Sequence, residues 1–483
     1  MRAAHLLLLV GAGITGSIAS PPPASASPME DSSLGGAVFT GPTAGHASSF
    51  FVNPAALGLM GPGWHLHLGG SGQLSSLYID NETVSPDGSQ SAGESTSNHA
   101  LTPGGIIALY GSFQDDAAHF GVALHTPTVQ QFPEGDPLLG FHSEGGQIRQ
   151  GMLTLAGSYQ FAGRLLVGLG ISLGYSSLEL QFSRDSALDG GSDSETGINS
   201  DCAGSPCGFQ NPEAQERYDI TVGNPFSLSS LFALKNISAS VGGAYRLPDN
   251  SWIGVGYVAL PGAFGKLSLS GTATVTRSPR DGGLEEEATA EVGFRMAQLV
   301  FLGYRRPLLS KFDLITDLRW QDWSRHDQFD IRLFGGQLGG EIPEWMPRYR
   351  GMHDVWRLSG GIESNDSQRH RVGARLRFET SSADDGAASP ILVPGASITL
   401  ATGAELHVAD QWVLGVGYEI GWTPTVDATQ SAFDPREAIA CVDSQYSFDE
   451  CKAARDGRAL STAAGSYQQL RHGLVLSLRY DSL

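Results

Sequence analysis

From Trp64 onward, apolar and polar residues alternate one by one through most of this chain. In "WHLHLGG", Trp64, Leu66 and Leu68 fall on one side and His65 and His67 on the other. A period of two belongs to a strand with one apolar and one polar face, because successive side chains point to opposite sides. Fourteen such segments can be marked, among them "GGIIALYGSF", "HFGVALHTPT", "LLVGLGISLGYSSLELQF", "SWIGVGYVAL" and the closing "RHGLVLSLRYDSL". The connections alternate too. Short turns ("QDDAA", "AGR", "PDN", "PLLS", "NDSQR", "AD") take turns with long polar, serine-rich and acidic segments. An even strand count with short turns at one end and long loops at the other describes an outer-membrane barrel, whose strands need only about 10 residues each. The expected fold is therefore all-β, a transmembrane antiparallel β-barrel of about 14 strands over residues 63–483, with both termini at the short-turn end. A soluble sandwich or propeller explains the alternation but not the loop asymmetry, and no blade-like repeat is visible.

A competing signal stands at the start. "LLLLVGAGITGSIASPPPASAS" contains G-x-G-x-x-G at Gly11, Gly13 and Gly16 after an apolar run, with Glu30 where a ribose-binding acid would be sought. That fingerprint works only if its third glycine opens a helix. Here Pro21, Pro22 and Pro23 follow within a few residues, and three prolines cannot continue a helix. A basic residue at Arg2, an apolar core and Ala24-Ser25-Ala26 instead have the layout of a secretory signal peptide, expected over residues 1–26.

Composition excludes further classes. The formal charge of −20 offers no basic stripe for nucleic acid. The 63 glycines are scattered through the alternating segments, as in strands whose backbones bend or are closely approached. Cys202 with Cys207 and Cys441 with Cys451 form two close pairs in polar loop sequence, and export makes local disulfides the expectation. A zinc site would prefer tighter spacing with partner ligands, so no metal is expected. "GISLG" (Gly170 to Gly174) matches a nucleophile-elbow pattern but lies inside an alternating strand. His65 and His67, two apart on a strand, read as polar lumen-facing residues. His326, Asp327 and Asp330 of "SRHDQFD" read as the polar end of a long strand. No catalytic residue and no cofactor is expected.

Residues 27–62 need a separate explanation. "SSLGGAVFTGPTAGHASSFFVNPAALGLMGPG" lacks charge and alternates poorly, yet Phe50, Phe51, Val52, Leu57, Leu59 and Met60 are too apolar for solvated disorder. Such a segment has to be buried, and inside a barrel it would be a plug. "AGHASSFFVNPAALGLM", with Asn53-Pro54-Ala55 just before the first strand, resembles the N-terminal hatch of the outer-membrane long-chain fatty acid transporter family of the FadL/TodX type (OMPP1). "DLITDLRWQDWSRHDQFDI", "HDVWRLSGGIE" with "RVGARLRFE", and "YRLPDNSWIGVGY" also resemble that family, so the likeness covers nearly the whole chain after Leu34.

The resemblance implies passive uptake of hydrophobic compounds, most of all long-chain fatty acids, with aromatic hydrocarbons as the other cargo. Ligand would be captured outside, bind near the hatch (Phe50, Phe51, Asn53, Pro54, Ala55) and leave sideways at an inward kink of the third strand. Gly121 is the only glycine of "HFGVALHTP" and the candidate for that kink; the alternative is a glycine that merely relieves crowding. The implied partners are the cargo, outer-membrane lipids and lipopolysaccharide, for a monomeric integral protein of the bacterial outer membrane. A barrel enzyme of the lipase or protease kind, a general porin and an adhesin are the alternatives. The first would need a convergent catalytic cluster at one barrel end, and the second has no use for an apolar plug.

Overall fold

The computed structural model describes residues 38–482, except 85–89, 114–116, 133–142, 186–214, 225–232, 263–265, 278–281, 310, 327, 336–344, 365–369, 384–391, 394 and 429–459. The signal-peptide region, all four cysteines and Asp327 lie outside the described residues. No helix among the described residues is long and apolar enough to cross a membrane, which says nothing of strands.

Among the described residues, nineteen strands form one antiparallel sheet that closes on itself. In chain order they are β1 (Trp64–Val84), β2 (Gln90–Phe113), β3 (Ala118–Phe132), β4 (Gly145–Phe161), β5 (Leu165–Asp185), β6 (Gln215–Gly223), β7 (Ile237–Arg246), β8 (Trp252–Ala259), β9 (Leu267–Thr276) and β10 (Glu285–Phe294). β11 (Gln298–Leu309), β12 (Phe312–Gln321), β13 (Gln328–Phe334), β14 (Trp345–Tyr349), β15 (Val355–Ser364), β16 (His370–Glu379), β17 (Ser397–Ala409), β18 (Trp412–Ala428) and β19 (Leu460–Ser482) complete the set. Closure is between β1 and β19, with Trp64 opposite Ser482.

The nineteen strands make a fourteen-stave barrel because five staves are each built from two strands end to end. β5 pairs along its first half with β7 and along its second half with β6, so β6 and β7 are one interrupted stave. The same holds for β8 with β9, β10 with β11, β12 with β13, and β14 with β15. The fourteen segments marked in the sequence fall one on each stave.

The interruptions mark an inversion of surface chemistry. Below them, nearer the termini, the outward side chains are apolar: Val241, Ile253, Val255 and Leu302 are exposed while Ser238, Ser240 and Gly254 face in. Above them the order reverses. β9 turns Leu267, Leu269, Ala273 and Val275 inward and Ser268, Ser270 and Thr272 outward, and β10 buries Ala290 and Val292 while exposing Glu287 and Glu291. An outward surface that is apolar below and polar above is one that leaves lipid for water, so the barrel continues beyond the bilayer on its long-loop side. Outward rings mark the lower boundary, exposed where Trp64 meets Phe113 at 5.3 Å and Tyr159 meets Phe161 at 4.8 Å, and half-buried where Trp412 meets Tyr480 at 5.0 Å between centroids. Trp320 and Trp356, 6.4 Å apart, stand higher. Not every aromatic near a strand end belongs to these belts. Trp323 and Tyr110 are buried, the first donating to Gln321 Oε1 at 3.1 Å and the second stacked on His65 at 4.9 Å.

Candidate functional site

Residues 38–60 are almost all buried and touch strands around the whole ring, from β3 to β17, so the segment lies across the barrel interior. It contains a one-turn helix, α1 (Ser49–Val52), and a 3₁₀ helix over Pro54–Leu59. Asn53-Pro54-Ala55 joins them, and each residue has a reason to be what it is. Asn53 is extended and caps the 3₁₀ helix, its Oδ1 accepting from Ala55 N at 3.1 Å. Its Nδ2 donates to Pro42 O at 2.6 Å and to Gly243 O of the wall at 3.2 Å. Pro54 occupies the first helical position, where its missing N–H is no loss. Ala55 is completely buried, packed with Leu166 and Ala244.

The wall makes room for this segment with glycine. A side chain at Gly242 would strike the Asn53 amide, and one at Gly168 would strike the Pro54–Ala55 backbone. Here the scattered glycines of the sequence find their use: they let the backbone of residues 38–60 approach the strands closely.

Phe50 and Phe51 point to different surroundings. Phe50 joins Leu57, Ile106, Ala108 and Tyr110 against β2 to β4. Phe51 belongs to a large apolar cluster that climbs through the lumen past Met152, Leu178, Tyr218, Leu269 and Val292. It meets Phe301 of β11 and His125 of β3 edge-on, at centroid distances of 6.4 and 5.8 Å.

Beneath this segment the chemistry changes to charge. Glu363, with no exposed surface, accepts from Arg375 at 3.0 Å and also from Arg371 and Arg305. Arg371 stacks over the Phe39 ring at 4.3 Å, linking this network to the N-terminal segment. A polar cavity of about 400 Å³ opens there, lined by Arg305, Arg371, Arg479, Asp313 and Glu405 under Met60. His46 of the N-terminal segment is held neutral, its pKa lowered to about 3 by burial and then by the Arg479 and Arg371 charges.

The wall is also irregular where β2 meets β3. β2 and β3 pair from Phe113 opposite Ala118 up to Ile106 opposite His125, and above that no β2–β3 pair continues among the described residues. β2 runs on paired with β1, and β3 runs on paired with β4 after a register shift between His125 and Thr128. Pro127 in that shift has no N–H to donate, and Thr126 Oγ1 takes the Gly105 N–H at 2.9 Å in place of a ladder bond. Gly121 is not at the shift. It sits in regular pairing between Tyr110 and Ala156, where an added Cβ would lie 2.5 Å from Phe50.

The other singled-out residues are accounted for locally. His65 bonds Asp481 at 2.7 Å, and His67 lies edge-on to His46 at 5.0 Å. His326 meets Arg295 O at 2.6 Å and accepts from Arg350 at 2.8 Å, while Asp330 receives Lys266 at 2.9 Å on the outer surface. Ser172 of "GISLG" lies within β5 and bonds Thr154 at 2.7 Å. Among the described residues no three His, Cys, Asp or Glu side chains are grouped to hold a metal ion.

Comparison with known proteins agrees with this geometry. The sequence profile of the family described as "Outer membrane protein transport protein (OMPP1/FadL/TodX)" matches residues 16–454. The fold is similar to that of a Pseudomonas aeruginosa FadL homologue, with a TM-score of 0.71, 13% identity, and 96% of this chain and 100% of that chain covered. The Pseudomonas putida toluene transporter TodX follows with 0.63, 15% identity and coverage of 95% and 98%. The Ralstonia pickettii toluene transporter TbuX gives 0.60, 14% identity and coverage of 95% and 98%. No curated protein sequence matches the chain. A closed fourteen-stave barrel together with a family match over most of the sequence makes this chain a member of the OMPP1/FadL/TodX family of outer-membrane transport proteins.

Proposed function

We propose that the protein carries hydrophobic small molecules passively across the outer membrane and releases them sideways between β2 and β3. The observation that carries this reading is the end of β2–β3 pairing at Ile106 and His125, beside the foot of the apolar lumen. Cargo taken up at the long-loop end meets the buried apolar lining of β5, β6, β9 and β10, which favours it by about 25 cal/mol per Å² of apolar surface removed from water. The plug over residues 38–60 acts as a hatch with the binding region on its upper side, near Phe50 and Phe51. Straight passage downward leads into the charged cavity under Met60, where an apolar molecule gains nothing. A sideways path at His125 leads to lipid instead.

Long-chain fatty acids are the leading cargo. Monoaromatic hydrocarbons are the second reading, supported by the fold shared with two toluene transporters. The reading includes no catalytic step. The hydroxyl and imidazole chain of Ser172, Thr154 and His125 places a threonine where a Ser–His pair would have to touch. Deleting Pro127 tests the exit, because it removes the extra residue between His125 and Thr128 and lets β3 run straight beside β2. Uptake of oleate or toluene should then fall while the barrel still assembles; undiminished uptake would place the exit elsewhere.

A further inference from the structure

His125 occupies a particular place on this path. It is the last residue of β3 paired with β2, and it is only 2% exposed. Its ring touches Phe51, so the apolar lining of the upper lumen ends against an imidazole. Nε2 is bonded to Thr154 Oγ1 at 2.8 Å, and Thr154 Oγ1 to Ser172 Oγ at 2.7 Å. Nδ1 is buried and has no hydrogen-bond partner among the described residues.

A buried imidazole nitrogen left unbonded has given up its hydration for nothing, and an apolar side chain of the same shape would avoid that cost. The side chains around it do not supply a partner. The bonded side can also reverse. If Nε2 donates to Thr154, Nδ1 is an acceptor; if the Thr154 hydroxyl donates to Nε2, Nδ1 carries the proton and donates. Ser172 can follow either way, since each hydroxyl donates or accepts. A hydroxyl brought to Nδ1 satisfies both states, whereas a hydrocarbon satisfies neither.

We infer that His125 is a specificity-determining residue at the exit, with an Nδ1 that receives the single hydroxyl of an otherwise hydrophobic neutral molecule and so favours hydroxylated cargo over the matching hydrocarbon. This rests on the transport reading and on release between β2 and β3. Among neutral cargo it adds a preference that neither plain alkane nor plain arene chemistry requires.

The test compares 1-naphthol with 1-methylnaphthalene, which have nearly the same shape and differ in a hydroxyl against a methyl. Uptake by cells producing the full chain is measured by their fluorescence, with cells lacking it as baseline. In His125→Phe the ring packing against Phe51 is kept and the polar atoms are lost. The naphthol-to-methylnaphthalene ratio should fall about threefold to tenfold, the range of one net hydrogen bond. His125→Gln, which keeps a hydrogen-bonding group, should hold most of the ratio. If His125→Phe does not assemble, His125→Leu carries the same comparison. An unchanged ratio in an assembled variant that still takes up methylnaphthalene overturns the role of His125 and leaves the transport reading standing. If the wild-type barrel assembles and raises uptake of neither compound, the transport reading itself fails, and this inference with it.

Discussion

Gly242 of β7 and Asn53 of the plug fit together because one has no side chain where the other's amide lies, and the Asn53 Nδ2 then reaches Gly243 O at 3.2 Å. Wall and plug are thus matched at the level of single atoms. Gly242→Leu should displace the plug without stopping barrel assembly, since the residue's ladder partners are unaffected. Asn53→Ala should act in the same direction, at about 1–3 kcal/mol for the buried polar groups it strands. Both variants should give a higher single-channel conductance in planar bilayers and greater antibiotic sensitivity in cells. Wild-type conductance in Gly242→Leu would mean that the plug is not seated there.

The inversion of the alternating pattern can be checked by charge insertion on the two sides of an interruption. Val241→Lys puts a charge on the lipid-facing surface and should cost about 2–4 kcal/mol if it lies near the bilayer midplane. Ser270→Lys, outward on β9 above the break, should stay within about 0.5 kcal/mol of wild type. Urea titration of the refolded barrel in vesicles measures both. Equal costs would place β9 in the membrane.

This inversion also explains what could and could not be read from the sequence. One alternating segment for each stave was visible, because outward residues such as Leu165, Val167, Leu169 and Ile171 of β5 form an apolar outer face at strict period two. The upper strands β6, β9 and β14 were not marked. "QERYDITVG" and "LSLSGTATVT" do alternate, but they are short, polar on their outer face and set among loop-like sequence, so they merge with the loops. The burial of Phe50 and Phe51 followed from their lack of charge and lack of alternation. Their different surroundings did not, because these are set by strands far away in sequence. The bulge at Thr126-Pro127 lay in plain view as a proline within a strand, yet only pairing partners show that β2 and β3 separate there.

His46 gives the plug a pH dependence. Seated, its imidazole stays neutral until about pH 3; released into water, it takes a proton below its ordinary value of 6.5. Release therefore binds a proton throughout that window, so seating is full above pH 6.5 and weakens as pH falls toward 3, by up to about tenfold per pH unit. Conductance measured from pH 7 to pH 4 should rise in wild type and rise less in His46→Gln. A flat wild-type profile would contradict the neutral, seated imidazole.

Glu363 anchors the charged network under the plug through three arginines. Glu363→Ala leaves buried guanidinium groups without their shared acceptor, and should cost about 3–5 kcal/mol. Arg371→Leu should cost less, because Arg305 and Arg375 still hold Glu363, but it also removes the contact with Phe39. Thermal loss of the compact barrel on gel electrophoresis orders the two variants. A larger loss in Arg371→Leu would mean that Glu363 is not the centre of the network.

Uptake of labelled oleate and toluene by cells without a transporter of their own is the most direct measurement. With the full chain assembled in the outer membrane, uptake of at least one should rise well above that of cells carrying an empty barrel-less membrane, and deletion of Pro127 should abolish most of the rise. An assembled wild-type barrel that raises uptake of neither compound would contradict the account.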